Sequence, residues 1–179
     1  VQRQKIMTSF GVMYQQGALF GSMNLLDNVT LFMQEYTQMT QSEMNLLARC
    51  KLDLVGLLPY ESYMPSEISG GMQKRAAIAR AMALDPKILF LDEPSAGLDP
   101  ITSADLDSTI MDLSKNLGIT FVIVSHELAS IYAIADKVIM LDKGAKGIIA
   151  EGDPKVLRDT CTDPRVHQFF NRIMSKDVA

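Results

Sequence analysis

Several features that assign proteins to common classes are scarce or absent in this 179-residue sequence. Its two cysteines, Cys50 and Cys161, lie far apart without ligand-like spacing, which indicates a reducing compartment. No apolar run approaches the roughly 20 residues needed to cross a bilayer. The net charge of -4 gives no basic footprint for nucleic acid or anionic lipid. What is present, 47% hydrophobic and 21% charged residues, is enough for a compact globular domain with a real core.

The order of predicted elements indicates an α/β fold. Short apolar strands alternate with helices in the second half of the chain, which is typical of a mostly parallel sheet covered on both faces. After an initial strand at 9–15, the predicted elements are strand 88–91, helix 102–117, strand 120–124, helix 127–135 and strand 137–141. An edge hairpin at 144–149 and two helices that start at Asp153 and Asp163 are expected to follow.

Residues 23–82 show no strand pattern and predict a helical insert in the α/β core. Asp27 is expected to cap the first helix of this insert, because its carboxylate can accept N–H groups of the first turn. Thr40 and Glu43 form a capping-box pattern for a second helix that runs to about Val55. The apolar face of that helix is expected to contain Met44, Leu47 and Leu54.

The last helix of the insert opens at the turn Ser69–Gly71, with Ser69 as its predicted N-cap. Lys74, Arg75 and Arg80 follow this turn at helical spacing. Backbone N–H groups and a hydroxyl at a helix N-terminus suit an anion such as a phosphate. An ordinary glycine-containing helix start is the alternative interpretation.

The predicted strand 88–91 ends in two adjacent carboxylates, Asp92 and Glu93. Ligands of α/β proteins bind at the C-terminal edge of the sheet, so both side chains are placed where a ligand would lie. Asp92 can hold Mg²⁺, and Glu93 can orient or deprotonate an attacking water. The alternative is a strand that simply ends in a polar turn at Pro94.

Two further polar residues follow the predicted strands. Asp99 precedes a proline and could be no more than the N-cap of the next helix. His126 comes two residues after the strand 120–124. In phosphoryl transfer such a histidine can contact the γ-phosphate or the attacking water, although a capping role is also open.

In this order and spacing, the motifs resemble the ATP-binding cassette (ABC) family of transport ATPases over nearly the whole chain. Residues 68–72 resemble the signature motif, residues 88–93 the Walker B strand and residues 96–99 the D-loop. His126 resembles the switch histidine, and Gln15 resembles the Q-loop glutamine, which senses the metal and water.

The fold implied by the resemblance is a partial RecA-like P-loop NTPase core, mostly parallel sheet, with an inserted ABC α-helical subdomain. The core is expected to be incomplete and split around the insert. The expected segments are a partial core at 1–22 and 83–150, the helical subdomain with the signature motif at 23–82, and a C-terminal helical tail at 151–179.

The resemblance implies an ATPase that uses ATP and Mg²⁺ and releases ADP and phosphate. By the family pattern, Asp92 and Gln15 would bind the metal, and the catalytic residues would be Glu93, His126 and Gln15. The residues that bind the nucleotide would be Ser69, Gly70, Gly71, Met72 and Asp99. The first three of these would contact the γ-phosphate held by a second ATPase subunit in a head-to-tail homodimer.

Three features resemble more narrowly the Mce-type lipid transport ATPases, which energise the bacterial maintenance-of-lipid-asymmetry phospholipid system. They are the Q-loop region at 11–20, the tail at 163–170, and Met72 in place of the usual signature glutamine. A thioether is a weaker hydrogen-bond acceptor than a glutamine. The implied location is the cytoplasmic face of the bacterial inner membrane, with no nucleic acid as partner.

A transmembrane permease subunit is the second implied partner, docked in a groove between the Q-loop and the helical subdomain. Residues 17–28 carry the apolar side chains that could receive a coupling helix of such a subunit. Ordinary packing within the helical subdomain is the alternative interpretation of the same residues.

One motif of the family is absent from the chain. No stretch matches the Walker A loop, Gly-x-x-x-x-Gly-Lys-Ser/Thr, whose amides and lysine hold the β- and γ-phosphates. The aromatic residue that stacks on adenine is missing as well. The chain is therefore expected to be N-terminally truncated, to bind ATP poorly and not to hydrolyse it alone.

Two other functions are left open by the sequence. A soluble ABC ATPase of DNA repair or translation is disfavoured, because the interval from Gln15 to Ser69 is too short for the long coiled coil of repair members. A non-catalytic binding or regulatory module is disfavoured by the intact Asp92, Glu93 and His126, whereas the missing Walker A loop keeps it open.

Overall fold

The computed structural model describes residue 6 and residues 8–172, and the chain divides into two compact units. The first unit is Val1–Ser125 and the second is His126–Ala179. The parts of the expected segments at 1–5, 7 and 173–179 lie outside the described residues. Within the described part of the chain, no helix has both the length and the apolar character that crossing a bilayer requires.

The first unit contains a parallel three-stranded sheet in the order β1–β2–β3 and the helices that connect its strands. In chain order its elements are β1 (Phe10–Met13), α1 (Leu25–Tyr36), α2 (Gln41–Leu54), α3 (Gly70–Ala81), β2 (Ile88–Asp92), α4 (Pro100–Leu117) and β3 (Thr120–Val124). Short 3-10 turns at Leu58–Tyr60 and Pro65–Glu67 connect α2 to α3. The predicted α/β fold and the all-helical insert are therefore confirmed.

The sheet has one buried and one open face, because side chains alternate along each strand. Leu89 and Leu91 of the central strand β2 are buried, at 0% and 1% exposure. On the opposite face Val12, Phe90 and Val122 are 36%, 40% and 43% exposed. The expectation of a sheet covered on both faces is therefore wrong for this chain, since the described elements leave one apolar face partly open to solvent.

Helix α3 approaches the sheet closely at β1. A Cβ atom built on Gly11 would lie 2.1 Å from the carbonyl oxygen of Ala81, a distance that real Cβ atoms do not reach. Only glycine therefore allows the end of α3 to lie directly on β1. This contact fixes the helix that begins at Ser69 against the strand that leads to Gln15.

The N-cap of α1 is Asn24 rather than the expected Asp27. The side chain of Asn24 accepts a hydrogen bond from the Asp27 N–H at 2.8 Å, so Asp27 lies in the first turn. Asn28, which is buried, uses its side chain to bond the backbone N–H and C=O of Phe20 at 2.8 and 3.1 Å. The prediction failed because Asn28 is tied to the preceding loop, which places it inside the helix and moves the helix start towards the N-terminus.

Helix α2 begins at the predicted capping box. The Thr40 N–H donates to the Glu43 carboxylate at 2.7 Å, and the Glu43 N–H donates to the Thr40 hydroxyl at 3.4 Å. The backbone hydrogen bond from Thr40 is the largest cause of a lowered pKa at Glu43. The local sequence signal is sufficient here because both partners lie within one helical turn.

The buried stripe of α2 differs in part from the prediction. It contains Met44, Ala48 and Leu52, spaced four residues apart, whereas Leu54 is 41% exposed. At 3.6 residues per turn, Leu54 lies about 120° from the centre of that stripe. The prediction that Leu54 belongs to the apolar face is wrong for this geometrical reason.

The second unit packs a small core between helices and a two-stranded sheet. Its elements are α5 (Leu128–Ile134), β4 (Val138–Asp142), β5 (Gly147–Gly152), α6 (Pro154–Thr160) and α7 (Pro164–Asn171). Strands β4 and β5 pair antiparallel, which confirms the predicted hairpin. Its second strand lies at Gly147–Gly152, three residues later than the predicted segment 144–149. Asp153 and Asp163 cap α6 and α7 as predicted, and Val166 and Phe170 of α7 are buried in the core.

Candidate functional site

The C-terminal edge of the parallel sheet carries three of the predicted site residues. Asp92 is the last residue of β2, and Glu93 follows it. Because Met13 of β1 pairs with Leu91 of β2, Gln15 and Glu93 each lie two residues beyond a paired position on neighbouring strands. The side chains of Gln15 and Asp92 are exposed and that of Glu93 is half-buried. The edge therefore presents carboxylate and amide oxygens to solvent.

The backbone turns sharply at Glu93. Its φ angle is 45°, in the left-handed region that non-glycine residues seldom adopt. The Glu93 N–H donates to the Val124 carbonyl of β3 at 2.9 Å, which holds the turn against the neighbouring strand. Strained residues of this kind cluster at functional sites, where the surrounding structure over-determines them.

The Ser69–Gly71 turn forms the start of α3, as predicted. The Ser69 hydroxyl accepts the Met72 N–H at 3.3 Å, while Ser69 and Gly70 are exposed and Met72 is half-buried. Gly71 is buried, and a Cβ atom there would lie 2.4 Å from the Thr102 methyl group on α4. The absence of a side chain at Gly71 therefore lets the first turns of α3 and α4 meet.

Asp99 serves as the N-cap of α4, one of the two roles that the sequence left open. Its carboxylate accepts the N–H groups of Ile101 and Thr102, both at 3.1 Å, and the Thr102 hydroxyl at 2.5 Å. These bonds, the Thr102 hydroxyl first, lower the pKa of Asp99. The segment that resembles the D-loop is thus anchored to the helix start that Gly71 contacts.

Lys74 connects two loops of the site, a role that the sequence did not assign to it. Its ammonium donates to the backbone carbonyl of Gln15 and, at 3.4 Å, to that of Glu93. Lys74 is only 8% exposed. Burial lowers the pKa of Lys74, and the nearby carboxylates of Asp92 and Glu93 act in the opposite direction. In the sequence Lys74 is one of three basic residues that follow the signature turn at helical spacing, and nothing there distinguishes it from Arg75 and Arg80.

Arg80, two turns further along α3, holds the segment after Gln15. Its guanidinium donates to the carbonyls of Gly17, at 3.0 Å, and Ala18, and it is 6% exposed. It also lies 5.7 Å from the ring centroid of Phe20 and 5.9 Å from that of Phe32, within cation–π distance. The buried guanidinium of Arg80 therefore fixes the backbone at the start of the segment 17–28, where the sequence predicts a groove for a partner.

His126 is exposed and is the first residue of the second unit. It follows the end of β3 by two residues, as the sequence indicated. The other predicted residues, from Gln15 to Asp99, all belong to the first unit. Within that unit, the structure brings the Gln15 and Glu93 segments together, and separately the Ser69–Gly71 and Asp99 segments.

The donor set at the edge of the sheet fits a magnesium–nucleotide complex. Mg²⁺ prefers oxygen ligands and is commonly held by one or two carboxylates together with phosphate oxygens and waters. Asp92 supplies an exposed carboxylate, and Gln15 supplies an exposed amide oxygen, at the ends of neighbouring strands. Among the described residues, no group of three or more His, Cys, Asp or Glu side chains could enclose a metal ion by itself.

Comparison with known proteins places this geometry in a family. The sequence model of the ABC transporter family matches residues 1–96, more than half of the chain. The chain belongs to the ABC transporter family. Its fold agrees with that assignment: it is similar to the cbiO1 structure from Clostridium perfringens, described as part of the ABC transporter complex cbiONQ, with a TM-score of 0.76 and 26% identity over 94% of this chain and 69% of that one.

A second solved ABC structure is similar over much of the chain. It is a dimer of the ATP-binding cassette MJ0796 in a post-hydrolysis state, bound to ADP and Pi. The TM-score is 0.72, with 28% identity over 85% of this chain and 66% of that one. The predicted partial P-loop NTPase fold is confirmed by these likenesses.

Two curated ABC relatives are more similar in sequence. The intermembrane phospholipid transport system ATP-binding protein MlaF of Escherichia coli K12 is 43% identical over 93% of this chain and 61% of its own length. The probable ribonucleotide transport ATP-binding protein mkl of Mycobacterium leprae is 44% identical over 93% of this chain and 47% of its own length. The chain thus spans about half to three fifths of the length of these relatives.

Proposed function

We propose that this chain forms the signature, Walker B and D-loop part of an ABC-type ATPase subunit that energises membrane transport. The observation that carries the proposal is the end of β2, where Asp92 and Glu93 lie beside the Gln15 segment of β1. The reaction would be hydrolysis of ATP to ADP and phosphate. Identities of 43% and 44% to ATP-binding transport proteins support it.

In this proposal the Glu93 carboxylate orients the attacking water and accepts its proton. The left-handed backbone at Glu93, bonded to Val124, supports this role because it directs the residue out of the line of the strand. Gln15 and His126 would complete the positioning of the water and the γ-phosphate. Phosphoryl transfer is catalysed mainly by such positioning and by charge stabilisation.

Asp92 and Gln15 would hold Mg²⁺ together with the phosphate oxygens of ATP. The ion, when bound, would neutralise charge on those oxygens. The exposed oxygens of both side chains at adjacent strand ends support this assignment. The amides and hydroxyl of Ser69–Gly71, with Met72 and Asp99 nearby, would face the ATP of a second subunit in a head-to-tail homodimer, an arrangement suggested by the dimeric relative.

The transported class in this proposal is phospholipid, and the partner is a transmembrane permease subunit at the bacterial inner membrane. The similarity to a phospholipid transport protein supports the cargo. The permease would dock in a groove between the Q-loop and the helical subdomain, lined in part by the segment 17–28. Hydrogen bonds with Arg80 and Asn28 hold the backbone of that segment in place. The similarity to a probable ribonucleotide transport protein makes ribonucleotide the competing cargo.

The test uses the product of the complete gene, with all in-frame coding sequence, reconstituted with its membrane partner in phospholipid vesicles. Glu93→Gln is expected to keep ATP binding and to lower turnover at least about 100-fold, because a carboxamide cannot accept the proton. Asp112→Asn makes the same change from carboxylate to carboxamide on the exposed surface of α4, outside the segments proposed to bind nucleotide or permease, and should leave turnover unchanged.

Turnover that survives Glu93→Gln would refute the assignment of the general base. Transfer of a labelled phospholipid between vesicles, coupled to hydrolysis, is expected in the same preparation. Coupled transfer of a labelled ribonucleotide instead of phospholipid would overturn the proposed cargo while leaving the ATPase assignment in place.

A further inference from the structure

Lys74 is a buried cation whose partners are both backbone carbonyls of functional loops. Its side chain leaves α3 one turn beyond Ser69–Gly71 and reaches Gln15, 59 residues away in sequence, and Glu93, 19 residues away. At 8% exposure the ammonium has exchanged most of its hydration for these contacts. An uncompensated buried ammonium is costly, so both loops must stay close to it in the folded state.

The two carbonyls belong to the residues whose side chains would act on the metal and the water. A carbonyl group and the side chain of the same residue are joined through a single Cα atom. Fixing the carbonyl therefore restricts the direction in which the side chain leaves the backbone. At Glu93 the backbone N–H also donates to the Val124 carbonyl. Both backbone polar groups of this residue are therefore hydrogen-bonded, the N–H to Val124 and the carbonyl to Lys74.

The electrostatics of Lys74 agree with this arrangement. The carboxylates of Asp92 and Glu93 lie close enough to favour its charged form against the effect of burial. This attraction connects the position of α3 to the geometry at the end of β2.

We propose that Lys74 is a positioning residue, which ties the signature helix to the backbone of Gln15 and Glu93 and thereby aims the Glu93 carboxylate. The inference rests on the proposed ATPase function for its catalytic consequence. Its structural part, the tie between α3 and the two loops, stands independently. Because Lys74 lies one turn from Gly71, a displacement of the signature turn is passed to both loops through this side chain.

The chain offers a matched control in Lys51. It is also 8% exposed, and its ammonium forms an ion pair with Asp85, away from the functional loops. Lys74→Met and Lys51→Met remove the same charge from equally buried positions and keep a side chain of similar length. A loss common to both variants reports stability, and a loss confined to Lys74→Met reports positioning.

Steady-state ATP hydrolysis by the complete gene product gives the catalytic readout. Lys74→Met is expected to lower kcat by about 10- to 100-fold, since small misplacements of catalytic groups have effects of this size. KM for ATP should change less than about twofold, because the ammonium is engaged by two backbone carbonyls of the protein itself. Lys51→Met should leave kcat within about twofold, and Lys74→Arg should recover much of the loss by restoring a charged donor.

Amide hydrogen exchange on the 179-residue chain gives a readout that does not depend on catalysis. Exchange in the segments 15–20 and 93–98 should accelerate in Lys74→Met relative to wild type and to Lys51→Met. Where Lys74→Met does not fold, Lys74→Gln, which keeps a neutral donor, is judged by the same criteria. Unchanged exchange in both segments, or equal acceleration in the Lys51 control, overturns the inference.

The two readouts separate the inference from the function on which it rests. A wild-type protein without ATPase activity refutes the proposed function, while the exchange experiment still decides whether Lys74 holds the two loops. An active wild type whose kcat is unaffected by Lys74→Met refutes the positioning role alone.

Discussion

Replacing Gly71 by alanine tests whether this position requires glycine because α4 packs against it, in addition to any need for an anion to reach the backbone. The new Cβ atom would lie 2.4 Å from the Thr102 methyl group, well inside van der Waals contact. Overpacking of this kind costs about 1–3 kcal/mol. Alanine is favoured over glycine in a helix by up to about 1 kcal/mol, which offsets part of the loss.

Thr102→Ser provides the relief for this clash. It removes the methyl group but keeps the hydroxyl that donates to Asp99 at 2.5 Å. In that background Gly71→Ala should no longer destabilise the chain, because only the helix-propensity gain is left. The coupling free energy of the double-mutant cycle should therefore be about 1–3 kcal/mol.

Urea unfolding in the absence of nucleotide is the assay. The chain has no tryptophan and five tyrosines. Of these, all but Tyr132 precede residue 126, so tyrosine fluorescence reports mainly on the first unit. Gly21→Ala is the control, because a Cβ there meets nothing within 4 Å. An equal loss of stability from Gly71→Ala with and without the Thr102 methyl group would refute the packing argument.

Two further predictions concern charged groups. Arg80→Lys should destabilise the first unit by about 2 kcal/mol in urea, because an ammonium has no planar face to lie over the rings of Phe20 and Phe32 while it donates to the carbonyls. An unchanged urea midpoint would contradict this. Hydrogen bonds from Arg165 hold the pKa of Asp163 at about 2. A depressed carboxyl stabilises the folded state above its unfolded pKa. The protection factors of the α7 amides, which correct exchange rates for their intrinsic pH dependence, should therefore decrease as the pH falls from about 4 to 2. Arg165→Met should weaken that dependence without abolishing it, because the backbone N–H of residue 165 still donates to the Asp163 carboxylate.

Local signals in the sequence were sufficient where both partners lie within one turn. The capping box of Thr40 and Glu43 and the caps at Ser69 and Asp153 are of this kind. The start of α1 was mispredicted because the choice between Asn24 and Asp27 depends on a contact with Phe20, outside the helix. Competing caps three residues apart cannot be ranked without such a contact.

The candidate site was predictable only in its motif residues. The carboxylates at the end of β2 follow from an apolar strand and parallel-sheet geometry. The role of Lys74 depends on a contact across 59 residues, which no local pattern contains. Likewise, the sequence does not show that one face of the sheet is open. Val12, Phe90 and Val122 would alternate with buried neighbours whether or not another element covered their face.

The φ angle of 45° at Glu93 lowers the stability of the folded state at the residue whose carboxylate the proposed mechanism needs. Glycine would adopt this conformation without strain, whereas a side chain there raises the energy of the folded state by about 1–3 kcal/mol. Selection for a more stable chain would therefore favour the loss of the acid. The carboxylate of Glu93 therefore lies at a position whose backbone disfavours any side chain, and the catalytic role proposed for it is what would offset that loss of stability.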